Sequence, residues 1–369
     1  AEVLSNWAGR RSFMKKKGKS KVLMIGPARS VHGGVSAVVN NLYEAGLSRQ
    51  VQLKYIATMV DGSKARKLLQ AGIAYVGFLA ALPFYQILHV NMAADASCYR
   101  KKIFIDTADF FKKKILIHEH GGDFEGFYFK RCSEKQRASI KKSMNRADVF
   151  LVLSDSWKDF FGKIVDKEKI HVLQNRILIP KKGKKNYSSR KILFLGRLCR
   201  EKGIGELLGT VPVIQKQIPD VKFILGGLWE AGNEELKKKA ESLSDAVELP
   251  GWVSPEERER LMEECSIFVL PTWFEGQPIS VLEAMAAGMC VVTTRVGGIP
   301  QIMGEEKEKT GVLLPPKDAK ALADTLIRLL NQEETRKTLG KQARRRMVEQ
   351  YDISRNVKAL IRYYETLKG

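Results

Sequence analysis

The chain has 369 residues, long enough for two domains of ordinary size. Its 44% hydrophobic and 28% charged composition excludes a disordered or fibrous protein. The formal charge of +22 is lopsided: residues 1–190 hold 36 Lys and Arg against 15 Asp and Glu, whereas residues 191–369 hold 27 against 26. The first half is therefore expected to face something anionic, such as a membrane surface, a phosphorylated lipid or a nucleic acid. Cys98, Cys132, Cys199, Cys265 and Cys290 stand far apart with no C-x-x-C pair. That spacing argues against a disulfide framework or a zinc site and fits a reducing cytoplasm.

Residues 1–20 read as a basic leader, of which the thirteen before Met14 resemble a processed or added segment. The basic start is not followed by an apolar run with a cleavage site, so no signal peptide is expected. Strands are then expected at 21–25, 52–56, 86–90, 114–118, 149–153 and 170–173, mostly as continuous apolar runs. Such runs mark a parallel sheet covered on both faces. The apolar stretch 71–90 is about long enough to cross a bilayer. Pro83 interrupts it, so a buried or interfacial helix followed by a strand is the expected outcome.

A basic segment, 181–190, reads as an interdomain linker. The strand series then restarts at 191–195, 221–225, 246–249, 266–270, 290–294 and 311–314. A helix over 318–330 places Leu322, Leu326 and Leu329 on one face. Two alternating β/α series predict two doubly wound domains, 21–180 and 191–351, facing each other across a cleft. Ligands in such sheets sit at the carboxyl ends of the strands. The last helix, 352–369, is expected to pack back on the first domain.

The segment 273–288 follows a predicted strand and carries two carboxylates, Glu275 and Glu283, eight positions apart. A helix starting near Pro278 would leave Glu275 in the preceding loop and Glu283 one to two turns inside. Free N–H groups at that helix start suit a diphosphate, and the carboxylates suit sugar or ribose hydroxyls.

This F-E-G-x-P-x-x-x-x-E-A segment resembles the retaining family 4 glycosyltransferases of the GT-B fold, in which two Rossmann-like domains face a deep cleft. The resemblance extends to Arg197 and Lys202 in G-R-x-x-x-x-K-G, to Gly297-Gly298 and to Gly33-Gly34. It implies that Arg197 and Lys202 neutralise the donor diphosphate. Glu283 would hold the ribose and Glu275 the transferred sugar, with Gly276, Gln277, Pro278, Ile279 and Ser280 lining sugar and phosphate. Gly33 and Gly34 would approach the phosphates, and Trp252 and Val253 the base. His120, or alternatively His118, would stand beside the reacting carbon in H-E-H-G-G-D.

The implied activity is retaining transfer of a hexose-type sugar from a nucleotide diphosphate sugar, by default a UDP-sugar, to an acceptor hydroxyl. The acceptor would be a lipid-linked or cell-surface glycan precursor at the cytoplasmic face of the membrane. No D-x-D pair ends a strand, and Arg197 with Lys202 can balance the leaving diphosphate, so neither a metal nor a cofactor is expected. Gly226-Gly227 departs from the G-x-G turn of many such proteins. Alternative readings are a sugar-nucleotide epimerase of the same architecture, or a membrane- or nucleic-acid-binding protein with a vestigial site. Basic clusters lie at 10–21, 112–114, 130–146 and 181–190. Arg131, Lys135, Lys142 and Arg146 recur at helical spacing, as a helix lying on anionic headgroups would require. No aromatic-and-basic motif of a nucleic-acid module accompanies them.

Overall fold

A computed structural model describes residues 18–368 apart from 182, 305–307 and 309. The greater part of the expected leader therefore lies outside the described residues. All twelve expected strands form, with no end shifted by more than three residues. They are β1 (Lys21–Pro27), β2 (Gln52–Met59), β3 (Ile87–Met92), β4 (Lys114–Glu119), β5 (Val149–Val152) and β6 (Ile170–Val172) in the first domain. The second domain holds β7 (Lys191–Leu195), β8 (Lys222–Gly226), β9 (Val247–Gly251), β10 (Ile267–Leu270), β11 (Cys290–Thr294) and β12 (Val312–Leu314).

They build two six-stranded sheets, ordered β2-β1-β3-β4-β5-β6 and β12-β11-β10-β7-β8-β9. Every pairing is parallel. The central strands are buried along their whole length because helices cover both faces. Chain order reverses between β1 and β3 in the first sheet and between β7 and β10 in the second. Loops on either side of such a reversal diverge and leave a crevice at the carboxyl edge. The loops after β7 and β10 carry Arg197, Lys202 and Glu275, so the reversal itself positions these side chains.

Two chain passages join the domains. Ile177 N–H donates to Tyr351 O (3.1 Å), and Ile353 N–H donates to Ile177 O (2.9 Å). The helix Ser354–Lys368 then returns to the first domain. There the Tyr364 hydroxyl meets His89 Nδ1 at 2.6 Å, with both residues fully buried. The expected linker is fastened to the second domain rather than free. Tyr187 Oη donates to Gly288 O (2.9 Å), and the buried Arg336 guanidinium donates to Tyr187 O (3.1 Å) and Leu330 O (2.8 Å).

One expectation about the first domain needs correction, and another is met. In the basic stretch 130–146 only Glu134–Met144 is α-helical, opened by a capping box between Ser133 and Gln136. Arg131 and Arg146 are not part of a free basic face. Arg131 pairs with Asp95 (3.0 Å) and Asp123 (2.7 Å), and Arg146 with Asp106 (3.0 Å) and Asp109 (3.4 Å). The apolar stretch 71–90 does divide into helix and strand, with Lys64–Ala81 helical and Pro83 inside a short 3-10 turn. That helix buries only Ala74, Phe78 and Ala81 and leaves much of its apolar surface outside.

Tyr364→Phe should destabilise the protein by about 1–2 kcal/mol, since it leaves His89 Nδ1 buried and unpaired. Urea unfolding measures this, and unchanged stability would show that the C-terminal helix is not anchored through that bond.

Candidate active site

Two tight glycine positions shape the second-domain wall of the cleft. Gly203 closes the short turn Arg200–Lys202 with φ +74°, and a Cβ there would lie 2.0 Å from Pro271 O. That close approach fits the loop after β7 against the loop after β10. Trp273 N–H and the Thr272 hydroxyl both donate to Glu201 O, at 2.8 and 3.0 Å. Lys202 is thereby aimed at Glu275, and the two side chains form a mostly buried ion pair. Gly297 (φ +52°) lies on the other side of the same loop, where a Cβ would fall 1.7 Å from Glu275 O. Gly298 N–H donates to Gly276 O (2.7 Å).

The helix Ile279–Ala286 begins as expected, with Pro278 at its N-cap, and no side chain caps its first N–H groups. Ser280 is half-buried there, whereas the Ile279 side chain turns into the core. Glu283 sits in the helix and pairs with Arg258 (2.8 Å). Burial raises its carboxyl above the usual range, and Arg258 opposes that rise. Arg197 reaches Glu230 with contacts of 2.7 and 2.8 Å. All four expected charged donor contacts are thus paired, Lys202 with Glu275, and Glu283 and Arg197 with Arg258 and Glu230, which lay outside the sequence motifs.

Gln277 has a different role from the one expected of it. Asn175 N–H donates to Gln277 Oε1 (2.7 Å), and Asn175 Nδ2 donates to Gln277 O (2.9 Å), so its oxygens hold the domain junction. Trp252 is about half exposed and stacks on His32, with ring centroids 3.7 Å apart and planes 27° apart. His32 belongs to the turn before Gly33-Gly34, so this stack spans the cleft. A Cβ at Gly33 or Gly34 would meet no protein atom within 4 Å, and Gly33 is extended, so nothing in the fold requires glycine there. At the departing Gly226-Gly227 turn, Gly227 N–H donates to Gly251 O (2.7 Å), which carries Val253 against Gly226.

The two candidate histidines separate. His118 lies inside the sheet on β4 and is 1% exposed, so it does not reach the cleft. His120 follows the strand end, and its carbonyl oxygen comes within 3.2 Å of where a Cβ on Gly276 would stand. Gly122 abuts Glu275 directly, with 3.0 Å from an added Cβ to Glu275 Cα. His120 Nε2 is 3.1 Å from Asn91 Oδ1, and Asn91 Nδ2 donates to Ile25 O (3.2 Å). With the amide so fixed, Asn91 can only accept, so His120 donates through Nε2 and keeps Nδ1 as an acceptor. Glu119 points away from the imidazoles and accepts from Gly121 N–H (2.7 Å), which holds the glycine loop in place.

His89, His118 and His120 form a buried row, with centroids 5.9 Å apart for the first pair and 4.0 Å for the second. Burial keeps all three neutral and pushes His118 down to about 3. It also raises Glu119 to about 8 and lowers Lys101 to about 7. One group among the described residues, Cys199, Glu201 and Glu230, brings possible metal ligands within 4.8 Å of one another. Arg197 already occupies Glu230, and burial holds the Cys199 thiol up at about 11, so the set lacks the free thiolate a soft metal would take.

The architecture matches solved two-domain proteins along nearly its whole length. A sucrose-phosphate synthase from Thermosynechococcus elongatus superposes with a TM-score of 0.78 at 18% identity, covering 95% of this chain and 99% of that one. Anabaena HepE in complex with UDP gives 0.74 at 15% identity, covering 94% and 100%. The fold is GT-B, with two Rossmann-like domains about a cleft. Residues 175–346 match the family described as glycosyl transferases group 1. An amylovoran biosynthesis glycosyltransferase of Erwinia amylovora is 34% identical over 149 residues, 38% of this chain and 35% of that protein. A GDP-mannose:cellobiosyl-diphosphopolyprenol alpha-mannosyltransferase of Xanthomonas oryzae pv. oryzae is 25% identical over 267 residues, covering 70% and 69%. Matches to two further curated relatives span 54% and 55% of their length, so the chain covers about half of them.

Acid should weaken this domain. Unfolded, the three imidazoles take up protons near pH 6.5, whereas folded they do not, so stability falls as pH drops below that value. Glu119 opposes this by one proton between about pH 4.3 and 8. Three imidazoles less one carboxyl leave an excess of about two protons near pH 5, or about 2.7 kcal/mol lost per pH unit. Urea titrations at pH 7, 6 and 5 should show that loss, with a shallower slope in His118→Phe. A flat profile would place the imidazoles in contact with solvent.

Proposed function

We propose that the protein is a retaining glycosyltransferase that moves a hexose-type sugar from a nucleotide diphosphate sugar to an acceptor hydroxyl. The observation that carries this reading is the convergence of Lys202, Glu275 and the uncapped helix start at Pro278 on the chain-order reversal, opposite His120. In the reaction the bond from the anomeric carbon to the diphosphate oxygen breaks. A bond to the acceptor oxygen forms, and the acceptor proton leaves with phosphate or through a nearby base. Lys202 and Arg197 exchange their carboxylate partners for the diphosphate and neutralise the charge that develops on it. That exchange frees Glu275 for the sugar hydroxyls. Glu283 takes the ribose, and the helix N–H groups add to diphosphate binding.

His120 offers Nδ1 to a hydroxyl of the transferred sugar beside the reacting carbon. The cations do the work that a metal ion would otherwise do, so no metal is proposed. The His32–Trp252 stack marks the place of the base and opens for it. UDP is the proposed nucleotide, in line with the structural neighbour solved with UDP. The proposed acceptor is a lipid-linked glycan precursor, a class named in the Xanthomonas relative, used by a peripheral protein at the cytoplasmic membrane face.

Thermal shift with UDP, GDP and ADP should single out one nucleotide, raising stability by about 2.7 kcal/mol at a hundredfold excess over Kd. No shift at millimolar nucleotide would overturn the donor site. On the matching sugar nucleotide, Lys202→Ala should lower turnover about 100- to 1000-fold with the melting temperature of the free protein kept within a few degrees. Near-normal turnover would remove Lys202 from the site.

A further inference from the structure

The helix Lys64–Ala81 is built the wrong way round for a surface helix. Its three cations, Lys64, Arg66 and Lys67, all lie in the first turn, and no charged residue follows through Ala81. The buried positions Ala74, Phe78 and Ala81 define one face at spacings of four and three. Leu69, Ile73, Val76 and Leu79 occupy the opposite face and are 67%, 59%, 68% and 40% exposed. Phe84, just beyond the helix, is 69% exposed. An outward apolar strip of this length, on a helix whose inner face is already fastened to the domain, marks an interaction surface.

The neighbouring helices say what covers it. Ala96–Phe110 and Glu134–Met144 follow β3 and β4, and right-handed crossovers place both on the same side of the sheet as Lys64–Ala81. The Tyr75 and Thr107 hydroxyls join the first two helices at 2.9 Å, and Ser143 Oγ donates to Asp106 (2.8 Å) to join the third. Phe110, at the end of the middle helix, is 79% exposed. The third helix presents Lys135, Lys141 and Lys142 to solvent, with no ion pair among the described residues. Of the layer's acids, Asp106 pairs with Lys102 and Arg146, Asp109 pairs with Arg146, and Glu134 stands exposed at the start of the third helix. One outer layer therefore runs from an apolar strip to a cationic strip. Lys112 adds exposed charge at its far end, whereas Lys114 pairs with Asp148 (2.8 Å).

We propose that this layer lies on an anionic lipid bilayer. The Lys64–Ala81 strip and Phe110 would enter the headgroup–acyl boundary, and the Glu134–Met144 cations would rest on the headgroups. The helix does not span, because its buried side holds it to the sheet. A second copy of the chain is a poorer occupant. Stacked with the helices parallel, it would bring its Lys64-to-Lys67 end against the same cationic end of its partner. The proposal deepens the functional reading's expectation of a peripheral protein with a lipid-borne acceptor, and names the surface that meets the membrane.

The test is co-sedimentation of the full chain with vesicles of phosphatidylcholine alone and of three parts phosphatidylcholine to one part phosphatidylglycerol, without donor or acceptor. Binding should favour the anionic vesicles at least tenfold. It should fall tenfold or more in the doubly substituted Ile73→Asp, Val76→Asp chain, while the melting temperature holds. Lys135→Glu with Lys142→Glu should remove the preference for anionic lipid. Equal binding by the Ile73→Asp, Val76→Asp chain would overturn the proposal. A wild-type dimer in sedimentation velocity that these same substitutions turn into a monomer would overturn it too, in favour of self-association. Nucleotide thermal shift, measured in parallel, separates the two readings. Its loss in the wild type would sink the transferase assignment and leave the lipid-facing layer standing.

Discussion

The Glu275–Gly276 segment is enclosed on three sides by backbone, and the organisation of the cleft depends on that enclosure. Gly297 presses on the Glu275 carbonyl, Gly203 lets the Lys202 turn come up beneath the same loop, and Gly122 closes over it from the other domain. None of these approaches leaves room for a side chain. The outcome is a carboxylate and an ammonium held together at the seam of two domains, where the strand order of the second sheet reverses. A loop pinned in this way cannot relax to follow a ligand. In the proposed reaction the ligand instead exchanges one charged partner for another, and preorganised charge of that kind costs little reorganisation when the charge distribution of a reactant changes.

Exchange explains why the site contains matched charges rather than an excess of cations. Lys202 with Glu275, Arg258 with Glu283 and Arg197 with Glu230 are each close to neutral as pairs. The second half of the sequence is correspondingly near neutrality despite the strong charge of the whole. Unpaired cations in a half-buried cleft would carry a desolvation cost, which these carboxylates offset. The imidazole row in the first domain meets the same constraint by a different route. Stacked and buried, the histidines stay neutral, and Asn91 sets the tautomer of the one nearest the seam.

The sheets were legible because a buried parallel strand has to be a short unbroken apolar run, and β7 and β11 match their expected limits residue for residue. The charged motifs were legible because they fall at strand ends, where a doubly wound fold must put its ligands. What escaped were residues whose role depends on a distant partner. Gln277 looks like part of the phosphate loop, yet its side-chain oxygen is taken by Asn175, 102 positions away. His32, Asn91, Arg258 and Glu230 belong to no motif: His32 meets Trp252 across the cleft, and the other three find distant partners within their own domains. His118 and His120 have the same chemistry two residues apart. Strand alternation puts both on one face, so only the end of β4 decides which of them emerges.

Charge patterning shows the same limit in a sharper form. Helical spacing put Arg131, Lys135, Lys142 and Arg146 on one basic face, but spacing does not reveal acids brought in from another helix. Asp95, Asp106, Asp109 and Asp123 claim the two arginines, whose planar forks suit bidentate carboxylate contacts, and leave the lysines outside. The division follows from hydration. A strongly hydrated ammonium on a flexible stem remains in water, while a guanidinium gives up water more readily for a fixed partner. The surplus charge of the first half is thus sorted twice, with arginines bracing the helical layer and lysines facing outward from it. The apolar strip of Lys64–Ala81 lies in that same layer, so the domain's greasiest surface and its most mobile cations share one side of the molecule, away from the cleft.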